Sequence, residues 1–331
     1  MKRIAIIGAG GRIGSMFSQE LKIGNSVLGV DRNQEIERIR SGNVVLMIGG
    51  KETVFEVETI NDYEIVNHSF DAVFLCAKNP VTDVVKYYYR MFKEGGKDIP
   101  ALFLPQNGVT VIEETMEALK DIFGKDAEKV KIARISLFNS VSREIVGEKV
   151  YLKYSLPIRL AVGPVSDISA QELKEFFNDT EIEVFEISRD KVRDMEFSKL
   201  FLNLIGMASA CHDLSIEDGF SSMEIFKEEL GVIKEYTKIV ENKGGKFVDF
   251  PHYPVGLMSA IFNNVPVAVL SLFRKWIGRK IEKGRRGKKK DIDEIEYYNG
   301  MVVNMGREIG ISTPFNEKVV KIAKEKMLKD N

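Results

Sequence analysis

At 331 residues the chain is longer than one compact core ordinarily organises, so two domains are expected. Its 44% hydrophobic and 29% charged residues exclude a disordered chain, and a formal net charge of −1 excludes a global field drawing in nucleic acid or membrane. Two cysteines (Cys76, Cys211) and three histidines without ligand spacing (His68, His212, His252) speak against a disulfide framework, a zinc site or a histidine triad. A reducing, cytoplasmic setting is the expectation.

The chain starts MKRIAIIGAG, a strand pattern without the layout of a signal peptide. Short apolar runs at Arg3–Ile7, Ser26–Val30, Ala72–Cys76, Ala101–Leu104 and Val130–Ile135 alternate with helical patterns at Gly14–Lys22, Val81–Phe92 and Val111–Phe123. Such runs suit strands buried on both faces, and their alternation with helices predicts a Rossmann-type, doubly wound parallel α/β sheet. Residues 150 to 187 are strand-rich, with one helical segment near Ala170–Phe177. Long helical spacings then follow at Asp190–Ala210, Glu224–Asn242, Val255–Lys275, Asp293–Glu308 and Asn316–Leu328. The domains expected are therefore 1–187, binding a dinucleotide, and 188–331, all-helical and suited to substrate binding and dimerisation. The apolar stretch Pro254–Phe273 raises the question of a membrane span. Asn263, Asn264 and Pro266 interrupt it, and a buried helix is expected instead.

The first strand runs into Gly8-Ala9-Gly10-Gly11-Arg12-Ile13-Gly14 and then a helix. That order places free backbone N–H groups beside a pyrophosphate, with glycines allowing close approach. The spacing differs by one residue from G-x-G-x-x-G: either Ala9, Gly11 and Gly14 fill the three slots, or Gly8 and Gly10 are the first two and the loop carries one extra residue. Asp31-Arg32 ends the second strand. A carboxylate there would accept from the 2′-hydroxyl of NAD, and an arginine would pair with the 2′-phosphate of NADP, so the choice stays open.

Four further segments, read with this loop, resemble the ketopantoate reductase family. They are Ala77-Lys78 with Thr82, Gln106-Asn107-Gly108, Lys199-Leu-Phe-Leu-Asn203, and the block Glu294 to Gly300 with Gly310 to Asn316. The resemblance implies an NADP-dependent oxidoreductase, with NAD open, that reduces a small 2-oxo acid, ketopantoate foremost. It implies Lys199 as general acid, Glu294 as its acidic partner and Asn203 as a substrate-orienting donor. Lys199 and Asn203, four residues apart, share one helix face. Lys78 is implied at the cofactor or the substrate carboxylate, and Asn107 on the nicotinamide ribose side. A homodimer is also expected, with neither nucleic acid nor membrane as partner.

Two departures from the family bear on the substrate. Met207-Ala208 stands where the family has Asn-Pro, and a basic stretch replaces a serine-containing loop. Residues 274–290 hold ten lysines or arginines and one glutamate. That run reads as a solvated loop or as an electropositive mouth for a more anionic acid. A different oxo or hydroxy acid, and a non-catalytic dinucleotide-binding regulator, are the rival functions.

Overall fold

The computed structural model describes residues 1–284, 290 and 292–330. The chain forms two compact units: residues 1–106 with 110–192, and residues 107–109 with 193–331.

The first unit opens with β1 (Arg3–Ile7), α1 (Arg12–Leu21), β2 (Ser26–Asp31) and α2 (Asn33–Arg40). Then come β3 (Val44–Ile48), β4 (Lys51–Val54), β5 (Glu58–Asn61), β6 (Ala72–Leu75), α3 (Thr82–Glu94), β7 (Ala101–Leu104) and α4 (Val111–Phe123). It closes with β8 (Ile132–Leu137), β9 (Ser142–Val146), β10 (Lys149–Tyr154), β11 (Ile158–Pro164), α5 (Ala170–Glu175) and β12 (Ile182–Glu186). Eight strands form one sheet in the order β12-β11-β8-β7-β6-β1-β2-β5. Every neighbouring pair in it is parallel except β8 and β11, so the sheet is mixed rather than wholly parallel.

The strand period of two divides this core. Ile4, Ile6, Phe74 and Phe103 enter one apolar cluster, while Ala5, Ile7, Val73, Leu75, Leu102 and Leu104 enter another. Burial on both faces is why these strands read as unbroken apolar runs. Phe74 and Phe103, paired across β6 and β7, stack with ring centroids 4.4 Å apart.

A second sheet, ordered β4-β3-β10-β9, was not anticipated. Its outer strands are exposed and polar, so they carry no apolar alternation.

The second unit contains α6 (Val192–Leu204), α7 (Met207–Cys211), α8 (Ile216–Ser221), α9 (Met223–Asn242), α10 (Val255–Asn264), α11 (Val267–Gly284), α12 (Asn299–Glu308) and α13 (Pro314–Asp330). Helix α9 is central, burying Phe226, Ile233, Tyr236 and Val240, and the Tyr236 hydroxyl donates to the Phe197 carbonyl at 2.8 Å. The helix expected over Asp190–Ala210 breaks at Gly206, which has φ +89°. The Gly206 N–H is taken by the buried Glu229 carboxylate at 2.9 Å.

The apolar stretch Pro254–Phe273, expected as a buried helix, is instead divided between α10 and α11 at Val265-Pro266. It is only partly buried: Val255, Phe262 and Leu270 are enclosed, whereas Leu257, Val269, Leu272 and Phe273 are exposed. Among the described residues no helix is long and apolar enough to cross a membrane.

Candidate functional site

In the first unit, β1 ends at Ile7 and the chain turns at Gly8, whose φ of +84° suits glycine. The Gly8 N–H donates to the Val30 carbonyl at 2.8 Å, anchoring the turn to β2. A Cβ on Gly14 would stand 2.0 Å from the Gly8 carbonyl oxygen, so Gly14 lets α1 press against the turn. Gly8 therefore occupies the tight-turn position and Gly14 the packing position, leaving a loop one residue longer than the usual spacing. Ala9 is buried, and its carbonyl accepts from the Ser15 hydroxyl at 2.7 Å.

Asp31 reaches this loop from the end of β2. Its Oδ2 accepts the Gly10 N–H and its Oδ1 the Arg32 N–H, both at 2.8 Å. Burial pushes the carboxyl above its usual range, against the pull of those two donors. The Arg32 side chain is exposed. Glu35, which the sequence reading did not single out, arrives from α2. A Cβ on Gly10 would lie 2.8 Å from the Glu35 Cβ and 3.2 Å from Asp31 Oδ2. Glu35 is held by Arg38 at 2.6 Å and Arg143 at 3.6 Å.

Helix α1 begins at Arg12 and Ile13 with no side-chain cap and no acidic residue in its first turn. A glycine cradle at an uncapped helix start fits the pyrophosphate of a dinucleotide in shape and charge. Lys78 lies exposed in the segment between β6 and α3 of the same unit.

The loop after β7 is fixed by a buried arginine. Arg134 donates to the Leu104, Ile135 and Gln106 carbonyls at 2.5, 3.0 and 2.6 Å. Beyond Gln106 the chain passes Asn107–Val109 to the second unit. There Asn107 becomes the centre of a polar cluster. Its Nδ2 donates to Glu294 Oε2 and to the Tyr298 hydroxyl, each at 3.0 Å, and its Oδ1 accepts from Asn203 Nδ2 at 3.3 Å. The Tyr298 hydroxyl donates to the same Glu294 oxygen. Lys290 donates to the Asn203 carbonyl and places its ammonium 5.6 Å from the centre of the Tyr298 ring.

Asn203, Glu294 and Asn107 were singled out separately in the sequence, and the structure brings all three into one network. Lys199 lies one turn before Asn203 on α6, partly buried between Ser198 and Leu200. Tyr298 and Lys290 were missed. Tyr298 follows Glu294 by four residues, the spacing of a helical turn, and Lys290 is hidden at the end of the basic run. Within that run, Arg285 to Lys289 lie outside the described residues.

Other motif residues serve packing. Asn299 and Asn316 are fully buried and hydrogen-bonded to each other at 3.0 Å, and Asn316 also donates to Glu235 at 2.7 Å. Met207 and Ala208, standing in place of Asn-Pro, are fully buried.

Residues 4–139 match the family described as "Ketopantoate reductase PanE/ApbA". Among curated proteins none matches the chain in sequence. Solved structures share its fold along nearly the whole length. One is a PanE/ApbA family ketopantoate reductase from Ralstonia eutropha JMP134, 18% identical, covering 97% of each chain with a TM-score of 0.73. D-mandelate dehydrogenase with NADH and anilino(oxo)acetate is 17% identical, covering 98% of this chain and 97% of its own, with a TM-score of 0.71. A probable 2-dehydropantoate 2-reductase from Bacillus subtilis is 15% identical, covering 98% and 99%, with a TM-score of 0.68. Residues 4–139 thus carry the sequence pattern of the ketopantoate reductase (PanE/ApbA) family, and the fold seen in solved ketopantoate reductases extends over nearly the whole chain.

Proposed function

We propose that the protein reduces a small 2-oxo acid to the 2-hydroxy acid at the expense of a reduced nicotinamide dinucleotide, with ketopantoate to pantoate as the leading reaction. The observation that carries this reading is the Asn107 network. It gathers two amide side chains, a carboxylate and a phenol next to the α6 turn that bears Lys199. The dinucleotide, when bound, supplies the hydride.

The chain's own residues have three tasks. Gly8 to Gly14 and the start of α1 hold the pyrophosphate. Asn203 orients the oxo acid, and Asn107, whose amide is committed to Glu294, Tyr298 and Asn203, holds Asn203 in place. Lys199, as an ammonium, gives a proton to the oxygen that becomes the hydroxyl, with Glu294 as its acidic partner.

For the cofactor we propose NAD(H), departing from the NADP that the family resemblance implied. Asp31 is already aimed at the turn, and Glu35 adds a second carboxylate beside Gly10. A 2′-phosphate would meet both, whereas a 2′-hydroxyl would donate to Asp31. The fold neighbour D-mandelate dehydrogenase was solved with NADH.

A second substrate reading, a dicarboxylate or other more anionic acid, is favoured by Lys290, whose ammonium sits against Asn203 and Tyr298. The test is initial-rate kinetics on ketopantoate and a panel of mono- and dicarboxylic 2-oxo acids, with NADH and NADPH in turn. Turnover of ketopantoate above the others supports the leading reaction, and preference for a dicarboxylate supports the second. Absence of turnover on every acid with either cofactor defeats both, in favour of a dinucleotide-binding regulator.

A further inference from the structure

Helix α11 has two faces that do different things. Its inner face carries Leu270 and Gly278. Leu270 is buried, and a Cβ on Gly278 would stand 2.7 Å from Phe220 of α8. Arg274 and Glu282 on the same side tie α11 to α8, through the Ser221 carbonyl at 3.3 Å and the Glu217 N–H at 2.6 Å.

The opposite face carries Val269, Leu272, Phe273 and Trp276, which fall within about 100° of one another on a helical wheel. Leu272 is 79% exposed, Trp276 61% and Phe273 57%. Large apolar side chains in a continuous exposed stripe call for a partner. Cations border the stripe. Lys275 flanks it, Lys280 and Lys283 extend it, Arg279 beside it is paired with Glu217 at 2.9 Å, and the Lys280 ammonium lies 5.7 Å from the centre of the Trp276 ring.

A second copy of the chain is a poor occupant. Two-fold pairing of this patch would bring two basic helices together, and the one carboxylate of α11, Glu282, is turned to α8 and cannot offset them. An apolar stripe of leucine, phenylalanine and tryptophan beside lysine and arginine instead suits the boundary between acyl chains and anionic headgroups. We propose that α11 docks this protein on a lipid bilayer bearing anionic headgroups, lying in the interface without crossing it. The near-zero net charge conceals this surface, because the cations gathered on α11 are offset by acidic residues elsewhere in the chain.

The chain holds a single tryptophan, Trp276, so its emission reports on this helix alone. The full-length protein is titrated with vesicles of phosphatidylcholine containing 30% phosphatidylserine (a composition chosen at about this level to give a negative surface), and with vesicles of pure phosphatidylcholine. Expected are co-sedimentation and a blue shift of emission with the anionic vesicles, at least about tenfold tighter than with the neutral ones, and weakening as salt is raised. The double variant Lys275→Glu/Lys283→Glu binds at least about 25-fold more weakly, at about fivefold per lysine. Leu272→Ser/Phe273→Ser also loses binding, and both variants keep the parent's thermal unfolding midpoint.

Equal affinity for neutral and anionic vesicles overturns the proposal. So does co-sedimentation without a change in Trp276 emission, or absence of binding to either vesicle. A blue shift that follows protein concentration without lipid also overturns it, and assigns the face to a second copy.

Discussion

Asn107 and Glu294, 187 positions apart in sequence, meet through an Asn107 Nδ2 to Glu294 Oε2 hydrogen bond of 3.0 Å. The amide is committed on both sides, donating to Glu294 and Tyr298 and accepting from Asn203. Asn107→Asp would replace a donor with a second carboxylate facing the first. Like charges at that distance drive the two groups apart. The expected result is a fall in kcat/KM of about 100-fold, or about 2.7 kcal/mol, at pH 8. Partial recovery is expected toward acid pH, where one carboxyl regains a proton to donate. A pH–rate profile that is lowered but unchanged in shape would refute this role for Asn107.

Lys199 can be separated from a merely structural lysine. In the proposed role it delivers a proton during the reaction, a contribution typically worth 10²- to 10⁴-fold. Lys199→Ala should lower kcat by about that factor while leaving the dinucleotide dissociation constant unchanged. Lys199→Arg should not restore the rate, because a guanidinium holds its proton too tightly to donate it. Parent-like turnover by either variant removes Lys199 from the chemistry.

The Asp31 carboxylate accepts two backbone N–H groups, so removing it has two effects of unequal size. Asp31→Ala loosens the Gly10 turn for any dinucleotide, and it also deletes the acceptor for a 2′-hydroxyl. A hydrogen bond to a charged group contributes about 1.5–3 kcal/mol, so the NADH-to-NADPH ratio of kcat/KM should fall by at least about tenfold. An unchanged ratio, with both cofactors weakened equally, would restrict Asp31 to shaping the turn.

The buried parallel strands were legible because both of their faces enter a core. Arg3–Ile7 and Ala101–Leu104 needed no tertiary information to be recognised. The second sheet was not legible, since Lys51–Val54 and Ser142–Val146 are largely exposed and polar and gain their strand form from pairing alone. Of the candidate site, Asn203, Asn107 and Glu294 could each be picked out one by one in the sequence. Their connections could not, because the Asn107 network joins segments about 90 to 190 residues apart. Periodicity carries nothing over such separations. Lys290 was invisible for another reason: among so many basic neighbours, nothing local distinguishes the lysine that folds back onto Asn203. The helix expected over Asp190–Ala210 failed at Gly206 because the acceptor that rewards the break, Glu229, comes from another helix.

Glu229 gives a stability test that is independent of activity. Its carboxylate is buried and accepts from the Gly206 N–H, the Ser209 N–H and the Ser209 hydroxyl at 2.9, 2.8 and 2.7 Å. Burial, the dominant influence, raises its pKa above the ordinary glutamate value, while those donors pull it down. The folded protein therefore binds this proton more readily than the unfolded chain. The group's contribution to stability is absent above the folded pKa, grows as pH falls through it, and is complete below the unfolded value near ~4.3. Glu229→Gln abolishes that titration and turns an amide NH₂ toward a backbone donor. At pH 7 it should destabilise the protein by about 1–3 kcal/mol, the cost of leaving a buried donor unmatched. In urea unfolding at stepped pH, the stability gap between parent and variant should widen as pH is lowered from 7 toward 5. A gap that narrows over that range would mean that the three donors, not burial, govern the Glu229 carboxyl.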